Sequence, residues 1–333
     1  MTGQGTPSLP SSAAKGRGDA GPAPEASPEP VEGRSAGTRG LPSSAARGRG
    51  ETVSPRPRVP ASPRRGEAGG AGTARGEPEL LYTQDGPLAF LTFNRPRARN
   101  AMTWAMYEGL HETCERVDAD PALRVLLLKG AGDRAFVAGT DISQFSNFQN
   151  EQDALDYEAR MDRVVGRLEA MRKPTIALIR GYAVGGGANI ALACDLRLAT
   201  PSAQFGIPTA RTLGNCLSMA TYGRLLDLVG AARAKDLLFT ARLAGAEEGL
   251  ALGLFKEIVP EVELEARGRA LAEQIAGHAP LTIWATKEAI RRLQAQRRAV
   301  DGRDLITACY TSEDFREGVR AFLEKRQPVW RGR

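Results

Sequence analysis

The sequence has few of the residues that metal sites and disulfide frameworks require. Its 333 residues include only four cysteines and two histidines. The cysteines are widely spaced and form no CxxC pair, so we predict neither a zinc site nor any other bound metal. Unpaired thiols are typical of a reducing compartment, and we therefore expect a cytoplasmic protein.

Long apolar runs are also absent. No stretch of about 18 uninterrupted apolar residues occurs, so no transmembrane helix is expected. The N-terminal region lacks the apolar segment of a secretory signal, and its acidic residues argue against a mitochondrial presequence. These absences predict a protein without membrane association.

The first 78 residues contain no aromatic side chain. They are rich in Pro, Gly, Ser, Ala and Arg and include a near-repeat, LPSSAAKGRG at 9–18 and LPSSAARGRG at 41–50. Such a segment cannot bury enough apolar surface to offset the entropy that is lost on ordering. We therefore predict three regions: a disordered tail at 1–78, an α/β core at 79–259 and a helical region at 260–333.

Positive charge is concentrated in this tail. It holds 11 Lys or Arg and seven Asp or Glu, which gives a net charge of +4 out of the +6 of the whole chain. Pairs such as Arg17-Gly18 and Arg47-Gly48 resemble those of RNA-binding tails, but no aromatic residues lie between them to stack on bases. A solvated tail is the interpretation that we favour over a nucleic-acid partner.

The remainder of the sequence alternates between strand and helix patterns. Short apolar runs rich in strand-forming residues occur at 88–93, 125–129, 175–180 and 196–199. Helical patterns occur at 103–117, where Thr103 is predicted as the N-cap, and at 151–171 and 188–193. Beyond Ser218 the pattern is almost wholly helical. The alternation favours an α/β fold.

Three consecutive glycines, Gly185 to Gly187, lie between a predicted strand and a predicted helix. Glycine lets a ligand approach the main chain, and the free N–H groups at the start of a helix favour a developing negative charge. Tight packing of the strand against the helix explains the triplet equally well when it is considered alone. A phosphate loop is not expected, because the GxGxxG spacing and the Lys-Ser/Thr ending are both missing.

Several segments, taken in order, resemble the signature of the crotonase (enoyl-CoA hydratase/isomerase) superfamily. They are FNRPRARNA at 93–101, AFVAGTDI at 135–142, PTIALIRGYAVGGGANIALACD at 174–195, AQFGIP at 203–208 and LFTARLAGAEEGLALGLFKEIV at 238–259. The resemblance covers roughly residues 80–326. It implies a spiral of ββα units with a helical C-terminal trimerisation region, assembled as homotrimers or as hexamers.

The resemblance also implies roles for individual residues. The N–H groups of Thr140 and Gly186 would bind the thioester oxygen of an acyl-CoA substrate, and the substrate would be the only carrier of coenzyme A, with no separate cofactor. Further contacts with the substrate would fall on Arg97, Arg99, Phe136, Ala138, Asp141, Ile142 and Gly185. For the two arginines, an exposed solubilising charge is the alternative interpretation.

Two positions depart from the family pattern. A typical hydratase of this family carries two catalytic glutamates, and this sequence has Asn189 and Thr209 in their places. A neutral amide cannot take a proton from water, and a hydroxyl is a poor base unless another group activates it. Arg211 follows nearby and could orient a substrate carboxylate or pair with an acid such as Asp195.

The group that would carry protons is therefore open at this stage. Asp141 is the nearest carboxylate along the sequence, and we expect it to accept hydrogen bonds from the backbone of its own loop. Other acids lie on the long helix predicted at 151–171, and their spacing selects none of them: Asp153, Asp156, Glu158 and Asp162.

Three functions remain in competition. The first is an acyl-CoA enzyme of the enoyl-CoA hydratase/isomerase type, which we expect most. The second is an isomerase, decarboxylase or C–C lyase that uses the same enolate and needs fewer carboxylates. The third is a non-catalytic protein that binds acyl-CoA, or binds RNA through its tail.

Overall fold

The computed structural model describes residues 77–148 and 150–333. Residues 1–76 of the predicted tail lie outside the described residues. In the described part the chain forms two β-sheets with helices packed around them. No helix in this part of the chain is long and apolar enough to cross a membrane.

The larger sheet has six strands. In spatial order they are β1 (Leu80–Asp85), β2 (Leu88–Phe93), β3 (Val125–Gly130), β5 (Thr175–Ile179), β7 (Leu196–Ala199) and β10 (Glu257–Ile258). β1 and β2 form an antiparallel hairpin, and all other neighbours are parallel. The parallel strands β3 and β5 are covered on both faces, which explains their continuous apolar runs.

The smaller sheet has four short strands. They are β4 (Ala135–Val137), β6 (Tyr182–Val184), β8 (Gln204–Gly206) and β9 (Ala244–Gly245). β4, β6 and β8 are parallel, and β9 is antiparallel to β8. Each of the three parallel strands follows a strand of the larger sheet within a few residues, so the chain passes from the larger sheet to the smaller one before α2, α3 and α4.

Ten α-helices and two 3-10 helices complete the described part. They are a 3-10 turn at Pro96–Ala98, α1 (Trp104–Ala119), a 3-10 helix at Ile142–Asn147, α2 (Glu151–Glu169), α3 (Gly186–Ala193), α4 (Thr209–Thr212), α5 (Met219–Phe239), α6 (Ala246–Ala251), α7 (Leu264–Ala276), α8 (Pro280–Arg298), α9 (Arg303–Tyr310) and α10 (Glu313–Leu323). The units β3-β4-α2, β5-β6-α3 and β7-β8-α4 repeat one pattern. The α/β fold class and the spiral of ββα units are confirmed.

Local sequence explains where the helices begin and break. Thr103 caps α1 as predicted, because its hydroxyl accepts a hydrogen bond of 3.2 Å from the Met106 N–H. Asn150 and Asp153 form a reciprocal capping box at the start of α2. Gly230 interrupts α5 with a φ of 72°. The two caps fix the first residues of α1 and α2.

Three apolar clusters hold the elements together. The largest lies between the two sheets and helices α1, α2, α3 and α5. A second packs α7 against the other face of the larger sheet, through contacts such as Leu264 and Leu271 with Leu178 and Leu198. The third joins α9 and α10 to the 3-10 helix at 142–147 and to α2. This third cluster closes one side of the cavity described next.

Candidate active site

A cavity of about 450 Å³ lies at the start of α3, between the loop after β4, helix α2 and the segment around α4. Most of the residues that the sequence singled out line it. The lining is Ala98, Arg99, Ala101, Ala138, Gly139, Thr140, Asp141, Ile142, Phe145, Tyr157, Glu158, Met161, Val184, Gly185, Gly186, Asn189, Ile207, Pro208, Thr209, Thr212, Leu213, Asn215, Cys216, Leu217, Ser218, Thr221 and Phe322.

Thr140 and Gly186 lie side by side on this cavity. A Cβ atom placed on Gly186 would lie 3.5 Å from the Thr140 nitrogen. Gly186 is the first residue of α3, so its N–H has no partner within the helix. The backbone hydrogen bonds of the described residues also leave the Thr140 N–H without an acceptor. Two unpaired main-chain donors therefore meet at one point of the cavity wall.

Each of these N–H groups follows a glycine in a left-handed conformation. Gly139 has a φ of +116° and Gly185 a φ of +56°, values that side chains rarely adopt. Two backbone hydrogen bonds of 2.9 Å hold the turn at Gly139. The Met102 N–H donates to the Gly139 carbonyl, and the Met102 carbonyl accepts from the Asp141 N–H. The glycines that the sequence placed before the two donors thus turn the main chain toward the cavity.

Three hydroxyl groups cluster directly behind the two donors. The Thr140 Oγ1 lies 2.8 Å from the Tyr107 Oη and 3.4 Å from the Tyr157 Oη. Burial, opposed by the hydrogen bond with Thr140, raises the pKa of Tyr107 to about 12. Burial also raises the pKa of Tyr157 well above its usual value. Both phenols are therefore protonated at neutral pH and cannot act as bases.

Asn189 and Thr209 both line the cavity, at the positions where the family resemblance implies glutamates. Arg224 is buried and donates a hydrogen bond of 3.3 Å to the Asn189 Oδ1. Because an arginine can only donate, this contact fixes the orientation of the Asn189 amide. The Asn189 Nδ2 has no acceptor among the described residues and is not sealed from solvent, so it opens into the cavity.

Asp141 lines the cavity, but its carboxylate is already engaged. One oxygen accepts from the Ser143 hydroxyl at 2.8 Å, and the other accepts from the Arg95 guanidinium at 3.2 Å. Burial alone would raise the pKa of Asp141, but the hydrogen bonds from Ser143 and Arg95 outweigh it and lower that pKa. Asp141 therefore organises its own loop, in agreement with the interpretation from the sequence.

Glu158 is the one acid of α2 that lines the cavity. Its Oε1 accepts a hydrogen bond of 2.5 Å from the Tyr310 Oη, and Tyr310 in turn accepts one of 3.0 Å from the Asn215 Nδ2. Burial, opposed by the hydrogen bond from Tyr310, raises the pKa of Glu158 to about 7. The Asn215 Oδ1 is buried without a partner among the described residues.

Cys216 also lines the cavity. A hydrogen bond with Cys309, together with burial, raises the pKa of the Cys216 thiol. Its Sγ lies 3.4 Å from the Leu305 carbonyl oxygen. A thiol that stays protonated is a poor nucleophile, so this cysteine behaves as part of the wall.

Some predicted substrate contacts are brought to the cavity and others are not. Arg99, Ala138, Asp141, Ile142 and Gly185 line it. Phe136 does not, because β4 turns its side chain into the main core, where it packs against Phe93. Arg97 and Arg211 are exposed and lie outside the lining. Their contacts with a substrate stay predictions.

Asp195 does not pair with Arg211. It accepts a hydrogen bond of 2.6 Å from Lys287 on α8 and also holds the Thr175 N–H at 2.8 Å. Lys287 is only 11% exposed and lines a different cavity. Lys287 is therefore engaged in an ion pair within this chain.

Sequence reasoning missed several groups around the cavity. Tyr107, Tyr157, Asn215 and Tyr310 were not identified, and Glu158 was named without being selected. Tyr107 lies on the apolar face of α1, where the sequence pattern predicts an ordinary core residue. No local motif distinguishes these side chains, because their partners lie far away along the chain.

Comparisons with known proteins identify the family of this chain. A family model described as enoyl-CoA hydratase/isomerase matches residues 83–333. A short-chain-enoyl-CoA hydratase of Clostridium acetobutylicum is 33% identical over 251 residues, which cover 74% of this chain and 95% of that protein. An (E)-benzylidenesuccinyl-CoA hydratase of Thauera aromatica is 36% identical over 248 residues, 74% of this chain and 96% of that protein.

A solved structure also superposes on the chain. Methylmalonyl-CoA decarboxylase, in complex with 2-nitronate-propionyl-CoA, is 27% identical, has a TM-score of 0.71, and is matched over 78% of this chain and 100% of its own. The match of the family model covers most of the chain and includes every residue of the cavity. The chain belongs to the enoyl-CoA hydratase/isomerase family, the crotonase superfamily.

Proposed function

We propose that the protein converts an acyl-CoA thioester through an enolate whose oxygen is held by the N–H groups of Thr140 and Gly186. The observation that supports this most is the placement of two unpaired main-chain donors at one point of the cavity. Negative charge develops on the thioester oxygen when a proton leaves the acyl chain or a nucleophile adds to it. One such donor contributes about 3 kcal/mol to the transition state.

Hydration of an enoyl-CoA is the reaction that the relatives support. Both relatives described above are named hydratases. Water would add to C3 of the acyl chain, and the resulting enolate would take a proton at C2. Asn189 would not carry that proton, but its Nδ2, which faces the cavity because Arg224 occupies the Oδ1, would donate a hydrogen bond to the water or to a substrate oxygen.

Double-bond isomerisation is a second candidate, and the number of carboxylates favours it. Two carboxylates line the cavity, and one of them, Asp141, is held by Arg95 and Ser143. Moving a proton from one carbon of the acyl chain to another needs a single group that takes it and returns it. Hydration in the usual form of this family uses two.

Arg99 is the arginine best placed to meet coenzyme A. It is exposed at the cavity, and its guanidinium carbon lies 5.4 Å from the centre of the Tyr182 ring. A guanidinium matches the geometry of a phosphate with two parallel hydrogen bonds. Stacking on Tyr182 would hold this group ready for the diphosphate.

The proposal includes assembly as a homotrimer or hexamer. Apolar side chains on α8 are exposed in the isolated chain, among them Leu281 (69%), Ile290 (51%) and Leu293 (65%). Burying such side chains in an interface removes apolar surface from water. The mass of the purified protein by sedimentation equilibrium tests the assembly. The expected cytoplasmic location is supported by the free thiols of all four cysteines.

The decisive experiment incubates the full-length protein with a panel of enoyl-, hydroxyacyl-, saturated and carboxyacyl-CoAs in H₂O and in D₂O. Mass spectrometry distinguishes gain of water, loss of carbon dioxide and an unchanged mass with a moved double bond. We expect conversion of at least one thioester. If every thioester of the panel stayed unchanged and took up no deuterium, the proposal would be contradicted. Binding of the thioesters without conversion would favour a non-catalytic acyl-CoA-binding protein.

A further inference from the structure

The cavity contains one carboxylate that no other charged group of the described chain holds. Glu158 lies on α2 and is only 8% exposed, yet it belongs to the cavity wall. The preceding residue, Tyr157, places its hydroxyl 3.4 Å from the Thr140 Oγ1. Glu158, the next residue of α2, points in another direction from the helix and lines the same cavity as the two main-chain donors.

The two oxygens of Glu158 have different environments. Oε1 accepts from Tyr310, whereas Oε2 has no hydrogen-bond partner among the described residues. Oε2 is also not among the sealed atoms that lack a partner, so it is open to the cavity. No ion pair reaches Glu158 within the described chain. A carboxylate held by one oxygen and open at the other has the geometry of a proton carrier.

Asn215 and Tyr310 orient this carboxylate. The Asn215 Nδ2 donates to the Tyr310 Oη, which directs the phenol proton toward the Glu158 Oε1. The Asn215 Oδ1 is left as a buried acceptor without a partner in the described chain, on the same cavity wall.

We propose that Glu158 is the acid–base residue of this site and replaces the two missing glutamates, with Tyr310 and Asn215 as positioning residues. This inference rests on the proposed function, since it requires an acyl-CoA in the cavity. The neighbouring acid Asp162 is excluded as the acid–base residue. It lies one turn further along α2, does not line the cavity, and accepts a hydrogen bond of 2.7 Å from the Ser218 hydroxyl.

The hydration step balances with Glu158 alone. Its carboxylate takes a proton from water as the water oxygen bonds to C3 of the enoyl-CoA. The electrons of the C2–C3 double bond move toward C1, and those of the carbonyl move to the oxygen that Thr140 and Gly186 hold. Glu158 then gives the proton to C2, and the carbonyl re-forms. One water is consumed, and nothing is oxidised or reduced.

The electrostatic surroundings support a proton carrier at neutral pH. The titratable groups that face Glu158 are Tyr107 on α1, Tyr157 and Asp162 on α2, Cys216 before α5, Tyr222 on α5 and Tyr310 on α9. None of these groups is a cation. Burial raises the pKa of Glu158 to about 7, so both its acid and its base forms are present where the reaction would run.

The test uses saturated probes, butyryl-CoA and octanoyl-CoA, in D₂O. Uptake of deuterium at C2 requires the enolate and a base but no added water, so it separates proton transfer from the rest of the reaction. We expect the wild-type protein to exchange and Glu158→Gln to exchange about 10² to 10⁴ times more slowly. Binding of the probes by calorimetry should change by no more than a few-fold.

Asp156→Asn is the matched control, because it removes an exposed carboxylate from the same helix. It should exchange at the wild-type rate. Exchange by Glu158→Gln at the wild-type rate would overturn the assignment and leave the proposed function intact. A wild-type protein that exchanges neither probe and converts no thioester of the panel would overturn both.

Discussion

The two walls of the cavity are built in different ways. One wall is main chain, the N–H groups of Thr140 and Gly186, which the ends of β4 and β6 place. The other is made of side chains, Glu158 with Asn215 and Tyr310, which come from three separate segments. Most substitutions leave the main-chain N–H in place, because every residue except proline has one. A single substitution of a glutamate removes its carboxylate. If both proposals hold, this chain keeps the oxyanion donors of its family and carries the proton on a residue of another helix.

The largest expected effect is on the main-chain wall. A Cβ on Gly186 would lie 2.4 Å from the Tyr107 Oη and 2.9 Å from the Thr140 Oγ1, so an alanine would displace the main chain that carries the two proposed donors. Gly186→Ala should therefore lower kcat by about 10² to 10³, the effect of losing one donor. Steady-state kinetics on the best thioester of the panel would measure it.

Gly166→Ala is the control for this substitution. Gly166 lies inside α2, and an added Cβ would meet nothing within 4 Å. Alanine there should leave kcat unchanged and stabilise the fold by up to about 1 kcal/mol. If Gly186→Ala remained folded and fully active, the main-chain wall would not be the oxyanion site.

The two walls also differ in how far the sequence could predict them. Thr140 and Gly186 lie in continuous motifs, AFVAGTDI and GYAVGGGAN, and each follows a glycine that turns the main chain, so local sequence was enough to select them. Tyr310 lies 152 positions from Glu158 and 95 from Asn215, and only the packing of α9 on α2 brings them together. Sequence periodicity placed Glu158 on the right helix but could not choose it over Asp153, Asp156 or Asp162.

The fold shows the same limit. Strands β2, β3, β5 and β7 were predicted within one residue because their apolar runs are long enough to recognise. The strands of the smaller sheet have two or three residues each, too few for an alternating pattern. Their existence followed only from the family resemblance.

Removal of the Glu158 charge should stabilise the fold at high pH. The pKa of this carboxyl rises from its usual 4.5 to about 7 in the folded state, so its stabilising contribution is complete below pH 4.5 and is lost as the pH rises through 7. A difference of that size corresponds to about 3 kcal/mol. Glu158→Gln is neutral at every pH and should be more stable than the wild type by up to that amount at pH 8.

Urea denaturation of both proteins at pH 5 and pH 8 would measure the difference. The gain should be small at pH 5, where the wild-type carboxyl is largely protonated in the fold. Equal gains at the two pH values would mean that Glu158 is not buried with a raised pKa. If Glu158→Gln is more stable and less active than the wild type, the buried carboxylate of the side-chain wall lowers the stability of the fold while it supports activity.

Thr140 has two roles in the main-chain wall, because its N–H faces the cavity while its hydroxyl forms a hydrogen bond with Tyr107. Thr140→Val keeps the main-chain donor but leaves the buried Tyr107 hydroxyl without its partner at 2.8 Å. We expect a loss of about 1 to 3 kcal/mol in the free energy of unfolding. The value of kcat should change by no more than a few-fold. Thr140→Ser should restore the stability, and a large loss of kcat in the serine variant would contradict a role limited to the N–H.

The smallest effect is expected for Tyr310→Phe, which removes the hydrogen bond to Glu158 and the one that Tyr310 accepts from the Asn215 Nδ2. That bond lowers the pKa of Glu158, so its loss should raise the pKa further. Since the base form starts the reaction, the acid limb of kcat/KM should move to higher pH. At pH 6.5 the activity should fall roughly threefold to tenfold, and at pH 9 it should approach the wild-type value. Tyr82→Phe, on the distant strand β1, should leave the profile unchanged. An equal loss at every pH would instead indicate that Tyr310 only supports the packing of α9.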